Sequence, residues 1–281
     1  MSTLKLDPQQ TYRLHSVANT RALESSALGE LPPHTLMQRA GLAVANLACA
    51  LAPHARTIWL ACGPGNNGGD GLEAAVHLQQ RGYAPIVTWL GVPHTLPADA
   101  HASWQRAVEA GVQFATEPPA QPDLCVDALL GIGNSRSPQG LMAQWIGHMN
   151  SRAASVLAVD VPTGLHADTG VVSECSVHAH QTLSLLTLKP GLFTGHGRDA
   201  AGQVWWDALG TNDPCDKPPT AFLPGAKDVL AAVHCHASHK GSRGDIAVVG
   251  GANGMVGAAI LAASAALHAG AGRVFVSLLS T

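Results

Sequence analysis

An apolar run, "TIWLACG" (57–63), a glycine-crowded loop, a helical stretch closed by Gly82 and a second apolar run, "APIVTWLG" (84–91), follow one another directly. Strand, helix and strand in that order form a right-handed crossover between parallel strands, so a parallel sheet with helices packed against it is already required. The pattern continues. "ADAHASWQRAVEAG" (98–111) and "GLMAQWIGHMNSR" (140–152) read as helices, and "DLCVDALLG" (123–131), "SVLAVDVPTG" (155–164), "HQTLSLLTL" (180–188) and "GQVWWDAL" (202–209) as strands. Two further helices precede the first strand, in "ANTRALESSAL" and "TLMQRAGLAVANLACAL", with Pro32-Pro33 between them. The expected fold is α/β: a doubly wound parallel sheet with helices on both faces.

The alternation breaks between about Gly210 and His236, where "GTNDPCDKPPTAFLPG" is dense in Pro, Asp and Gly and reads as a linker. Beyond it, "DIAVVGGANGMVGAAILAASAALHAGAGRVFVSLL" repeats strand, glycine loop, helix and strand. The expected division is a domain over 1–212, a linker over 213–236 and the incomplete start of a second α/β domain over 237–281. About 45 residues fall well short of the ~100 that a domain of this kind needs. The Ala/Gly-rich run 255–279 has the length of a membrane span but contains His268, Arg273 and glycine breaks, so a buried helix followed by a strand is expected.

Charge excludes some classes. Net charge is -3 and no basic stripe occurs, so nucleic acid is not an expected partner. No secretory signal is visible at "MSTLKLDPQQTYRLHS", and the six cysteines lack a C-x-x-C pair, so a cytoplasmic chain with reduced thiols is expected.

The chemistry centres on "GPGNNGGDGL" (63–72). Gly63, Gly65 and Gly68 have the G-x-G-x-x-G spacing that lets a phosphate approach the backbone at a helix start. The nicotinamide-dinucleotide fingerprint also requires an acid about 20 residues on for the ribose hydroxyls, and "APIVTWLGV" has none, which weighs against a dehydrogenase. No Lys-Ser or Lys-Thr follows the glycines, so it is not a P-loop. Asn66 and Asn67 offer oxygens to a hard cation, or else tolerate left-handed backbone in a turn. Asp127 in "DALLGIG" and Asp160 in "DVPTG" stand near the C-terminal ends of strands, where ligand crevices of open parallel sheets lie. With Asp70 and Thr163 they make a candidate site.

These three motifs in this order, with "LMQRAG" and "KPGL" (189–192), resemble the NAD(P)H-hydrate epimerase family, the YjeF N-terminal domain, from about Leu14 to Leu209. The segment "HKGSRGDIAVVGGANGMVGAAILAASAALHAGAG" resembles the opening of the ribokinase-like NAD(P)H-hydrate dehydratase often fused behind it. The resemblance implies a Rossmann-like domain that epimerises the R and S hydrates of NADH and NADPH, in a homodimer. It implies that Asn66, Asn67, Gly68, Gly69, Asp70 and the loop Gly131, Ile132, Gly133, Asn134, Ser135, Arg136 and Ser137 bind the hydrate, with Asp160 at the damaged ring. It implies a potassium ion on Asn67, Asp127 and Thr163, the last in place of a usual serine, and ADP or ATP only for a complete dehydratase.

In the hydrate, the hydroxyl-bearing carbon is bonded to the ring nitrogen. Loss of the hydroxyl gives an iminium ion that water can attack from either face, and Asp160 could handle both protons. The rival reading is a non-catalytic nucleotide-binding or scaffold module on the same fold. "HCHASH" (234–239) has metal-like spacing without a partner cluster, and Lys189 reads equally as a phosphate contact or as an exposed lysine.

Overall fold

The computed structural model describes residues 3–133, 137–152, 155–211, 218–227 and 236–279, and the chain divides into two compact units, Met1–Asp228 and Val229–Thr281. In the first unit the elements run β1 (Leu4–Lys5), β2 (Tyr12–Leu14), α1 (Val17–Glu30), α2 (Thr35–Leu51), β3 (Ile58–Cys62), α3 (Asn66–Gln80), β4 (Pro85–Trp89) and α4 (Ala98–Glu109). They continue through β5 (Gln113–Ala115), β6 (Leu124–Ala128), α5 (Gly140–Arg152), β7 (Val156–Val159), β8 (Gln181–Leu185), α6 (Gly197–Ala201), β9 (Gln203–Asp207) and β10 (Ala221–Leu223).

Eight strands form one sheet in the order β1-β9-β8-β7-β6-β3-β4-β5, parallel throughout except for β1, which lies antiparallel on β9. The β3 strand shows why both faces are covered. Ile58, Leu60 and Cys62 join a core with α2 and α3, while Trp59 and Ala61 point the other way into a core with Trp145, Ile146 and Met149 of α5. Alternate side chains of one strand are thus buried on opposite faces, which accounts for its unbroken apolar run. The expected doubly wound α/β architecture is present.

The order also locates a crevice. From β3 the chain moves outward through β4 and β5, then returns to place β6 on the other side of β3. At such a switch point the two following loops diverge and leave a space beyond the strand ends.

The sequence reading needs correction in several places. Part of the stretch taken as linker, Ala221–Leu223, is a strand paired antiparallel with β2, and Thr220 N donates to Leu14 O at 2.8 Å. Strands β1, β2, β5 and β10 are only two or three residues long, too short to show a period of two. The α3 helix starts at Asn66, not after the glycine loop, so the expected loop is the helix's first turn. Glycine's poor helix propensity hid this start, and packing overrides that propensity here.

The second unit contains β11 (Asp245–Gly250), α7 (Val256–His268) and β12 (Arg273–Leu278), a parallel strand–helix–strand unit in the expected order. Arg273 donates to both carboxylate oxygens of Asp245, each at 2.6 Å. No helix among the described residues is long and apolar enough to cross a membrane.

Candidate active site

A cavity of about 500 Å³ opens at the switch point, lined from the ends of β3, β6, β7 and β8 and roofed by α1 and α2. Its floor is held by glycine contacts. A Cβ on Gly63 would stand 1.8 Å from Leu129 O, and one on Gly68 would stand 2.0 Å from Gly63 O, so the loops after β3 and β6 approach more closely than any side chain allows. Gly63 N donates to Ala128 O at 2.9 Å. Gly69 lies against Met37 of α2, where a Cβ would meet the sulfur at 2.6 Å. Gly68 and Gly69 are therefore buried packing positions, whereas Gly65, Asn66, Asn67 and Asp70 line the cavity itself.

Gly65 caps α3 without a side-chain acceptor, and the first intrahelical bond there runs from Gly69 N to Gly65 O at 3.1 Å. The preceding N–H groups have no intrahelical acceptor and sit at the positive end of the helix, an arrangement suited to an anion.

From β6, Leu129, Leu130, Gly131, Ile132 and Gly133 reach the cavity. Asn134, Ser135 and Arg136 of the expected substrate loop lie outside the described residues, and Ser137 is exposed beyond them. Asp127 and Thr163 stand behind the floor. Both are fully buried, and Thr163 Oγ1 and N donate to the Asp127 carboxylate at 2.7 and 2.8 Å. Thr163 Oγ1 also accepts from Leu130 N at 3.0 Å, tying the β6 loop to the β7 loop. Burial pushes the Asp127 carboxyl up to about 6 against the opposing pull of its hydrogen bonds to Thr163 and Leu129. The Asn67 amide nitrogen is buried without a partner among the described residues.

Asp160 follows β7 with φ of +69°, a left-handed conformation that costs a residue with a Cβ and recurs at functional sites. The turn aims its carboxylate at Lys189, whose ammonium is wholly buried and donates to Asp160 Oδ1, to Leu185 O at 2.7 Å and to Ser184 Oγ at 3.4 Å. Lys189 is thus neither exposed nor free to wander to a phosphate, because all three of its protons are committed to Asp160 and to the end of β8. Both residues line the cavity.

The α1 helix adds groups that motif reasoning missed. Thr20, Arg21, Glu24 and Leu28, on one face of the helix, line the cavity. Polar bonds fix its first turn: Val17 N donates to Asp168 Oδ1 at 2.8 Å, Asn19 N to Ser16 Oγ at 3.3 Å, and Thr20 Oγ1 lies 2.7 Å from Thr187 Oγ1. Burial, then the neighbouring Asp160, raises the Glu24 carboxyl, while Lys189 and Arg21 oppose the shift. Asp70 is raised well above the usual carboxylate range by burial and by the charges of Asp160, Glu24 and Glu73.

The model of the YjeF-related protein N-terminus matches residues 33–191, more than half of the chain, including "GPGNNGGDGL", "DALLGIG" and "DVPTG" around this cavity. The chain belongs to the YjeF N-terminal family. Among curated relatives, the bifunctional NAD(P)H-hydrate repair enzyme Nnr of Escherichia coli is 35% identical over 86% of this chain and 48% of its own length. That of Vibrio cholerae is 38% identical over 84% of this chain and 49% of its own. The chain spans about half the length of these relatives. The crystal structure of yeast ynu0 shares the fold, with a TM-score of 0.58 at 22% identity, over 69% of this chain and 87% of that one. In this YjeF N-terminal unit, the alternating strands and helices expected from the sequence converge on one cavity, with Asp160 and Lys189 at its inner wall.

The metal-like cluster at 234–239 carries no such geometry. His234 and Cys235 lie outside the described residues, His236 and His239 are exposed, and no group of three or more His, Cys, Asp or Glu fit to hold a metal occurs among the described residues.

Proposed function

We propose that this chain interconverts the R and S hydrates of NADH and NADPH, acting as the epimerase part of a hydrate-repair enzyme. The observation that carries the proposal is the Asp160–Lys189 pair, its aspartate held in left-handed backbone, facing a cavity whose floor is the start of α3. The names of the relatives support the substrate, and the cavity's two ends supply complementary chemistry. The bare first turn of α3 suits the pyrophosphate. Asp160 suits the ring, where a carboxylate takes the proton of water as it adds to the iminium carbon.

Asn67, Asp127 and Thr163 would hold a potassium ion. The fit rests on an all-oxygen donor set and on Asp127, a buried carboxylate with no cation among its partners in the described residues. A monovalent cation there would offset that charge and brace the loops after β6 and β7. Residues 237–281 are proposed as the beginning of a ribokinase-like dehydratase domain, in which ADP or ATP would serve only the complete domain. The chain is further proposed to act in the cytoplasm as a homodimer.

The test supplies the R hydrate of NADH together with an S-specific dehydratase and its nucleotide, and follows the return of NADH with and without this protein. Acceleration that is lost in Asp160→Asn supports the reading. No acceleration from folded protein in potassium buffer refutes it and favours the non-catalytic binding module.

A further inference from the structure

Epimerisation imposes a geometric demand that one carboxyl group does not meet. The hydroxyl must leave from one face of the ring and water must arrive at the other. A single fixed acid/base sees one face only, so it returns the hydroxyl to the side it left unless the ring turns over inside the cavity. Inversion in one pass needs a proton donor on one face and an acceptor on the other.

The cavity has a second carboxyl placed for this. Asp70 lines it from α3, which follows β3, whereas Asp160 lines it from the end of β7. The β6 strand separates β3 from β7, so the two carboxyls reach the cavity from segments that follow strands on either side of β6. The two differ in company. Asp160 has a lysine, whereas Asp70 makes no hydrogen bond or ion pair to a described residue and faces other acids: Glu24 of α1, Glu73 of its own helix and Asp160 itself, with Asp99 at the start of α4 lining the same cavity. The nearby cations, Lys189 and Arg21, are shared: Lys189 is committed to Asp160, and Arg21 lies beside Glu24.

We propose that Asp70 is a second catalytic residue, handling the proton on the ring face opposite Asp160. The proposal rests on the epimerase reading above. In one direction Asp70 gives its proton to the departing hydroxyl, the C–O bond breaks, and water leaves as the ring nitrogen's lone pair forms the C=N bond. A second water then adds to the other face, the C=N pair returns to nitrogen, and Asp160 takes the proton. Nothing is oxidised or reduced. The enzyme ends with the proton on Asp160 and not on Asp70, which is the state required to run the opposite epimer back. Asp70's raised carboxyl fits its role as the resting donor.

The test measures oxygen exchange and inversion together. Each hydrate is incubated separately with the full chain in oxygen-18 water, and label in the hydroxyl is compared with conversion to the other epimer, corrected for the uncatalysed reaction. Two faces predict one labelled oxygen per inversion from the first turnovers. Label accumulating in unconverted substrate faster than inversion occurs means that one group works on one face with ring turnover, and overturns the proposal. Asp70→Asn, nearly the same shape, is expected to cut kcat for inversion by 100-fold or more with KM little changed, and to remove one limb of the pH–rate profile. Asp70→Asn that inverts at the native rate also overturns it. If the unaltered chain neither exchanges nor inverts, the epimerase reading itself fails, a result distinct from both.

Discussion

Replacing Lys189 with methionine isolates the interaction on which the inner wall of the cavity depends. The ammonium is wholly buried, and the Asp160 side chain retains only 12% exposure, so the variant leaves a nearly dry carboxylate without its counter-charge. Removing one partner of a buried ion pair costs about 3–5 kcal/mol, and the remaining contact of Asp160 with water places this case near the lower end, about 3 kcal/mol. For a unit of this size, about 2–4 °C per kcal/mol turns that loss into a fall in Tm of roughly 6–12 °C. Asp160→Asn alone strands the ammonium and is expected to cost at least as much. Its backbone conformation adds no penalty, because asparagine tolerates left-handed φ. The double variant Asp160→Asn/Lys189→Met removes both charges and should return to within about 1 kcal/mol of the native chain. All six tryptophans, at 59, 89, 104, 145, 205 and 206, lie in the first unit, so urea unfolding followed by tryptophan fluorescence reports that unit alone. A Lys189→Met variant as stable as the native chain, or a double variant that loses the sum of the two single losses, would refute the argument.

Three further outcomes follow from the same geometry. Asp70 is raised in the folded chain, so its ionisation opposes folding once the pH exceeds its ordinary value of 3.8; Asp70→Asn should melt higher than the native chain at pH 7–8, with the gap closing below about pH 4. Gly68→Ala forces a Cβ to 2.0 Å from a backbone oxygen and should cost 3 kcal/mol or more, beyond the usual ~1–3 kcal/mol of overpacking, whereas Gly65→Ala meets nothing within 4 Å and should stay within about 0.5 kcal/mol by urea unfolding. If potassium sits at the proposed site, exchanging potassium chloride for choline chloride lowers Tm, and Asp127→Asn abolishes the difference in differential scanning fluorimetry, because the buried charge that the ion would offset is gone.

What was legible in the sequence, and what was not, divides along physical lines. The β3, β6 and β7 strands announced themselves because strands covered on both faces are continuously apolar, and parallel pairing between them followed from the helices in between. Asp160 was legible because an acid closing such a strand has few structural reasons to be there. Its partner was not, since a lysine 29 residues later in a run of leucines and threonines carries no periodic mark, and its burial depends on a turn at Leu186 with φ of +62°. Glu24 and Arg21 were hidden for a different reason: α1 buries only Thr20 fully, so its sequence shows neither a strong apolar stripe nor a motif. Gly68 and Gly69 looked like ligand contacts because a sequence displays a bare backbone without saying which neighbour comes close to it.

That last ambiguity bears on how the proposed dinucleotide would get in. Glycine-rich loops are commonly imagined as slack, yet here Gly63, Gly68 and Gly69 mark places where backbone is wedged against backbone or sulfur, and that part of the floor has little left to yield. Room must come from above. Among the described residues, the side-chain polar bonds that pin α1 gather in its first turn, and past Glu24 the core contacts come from Ala27 and Leu31. Glu24 and Leu28, which line the cavity, sit on the half toward Glu30, the less firmly tied side of that entrance.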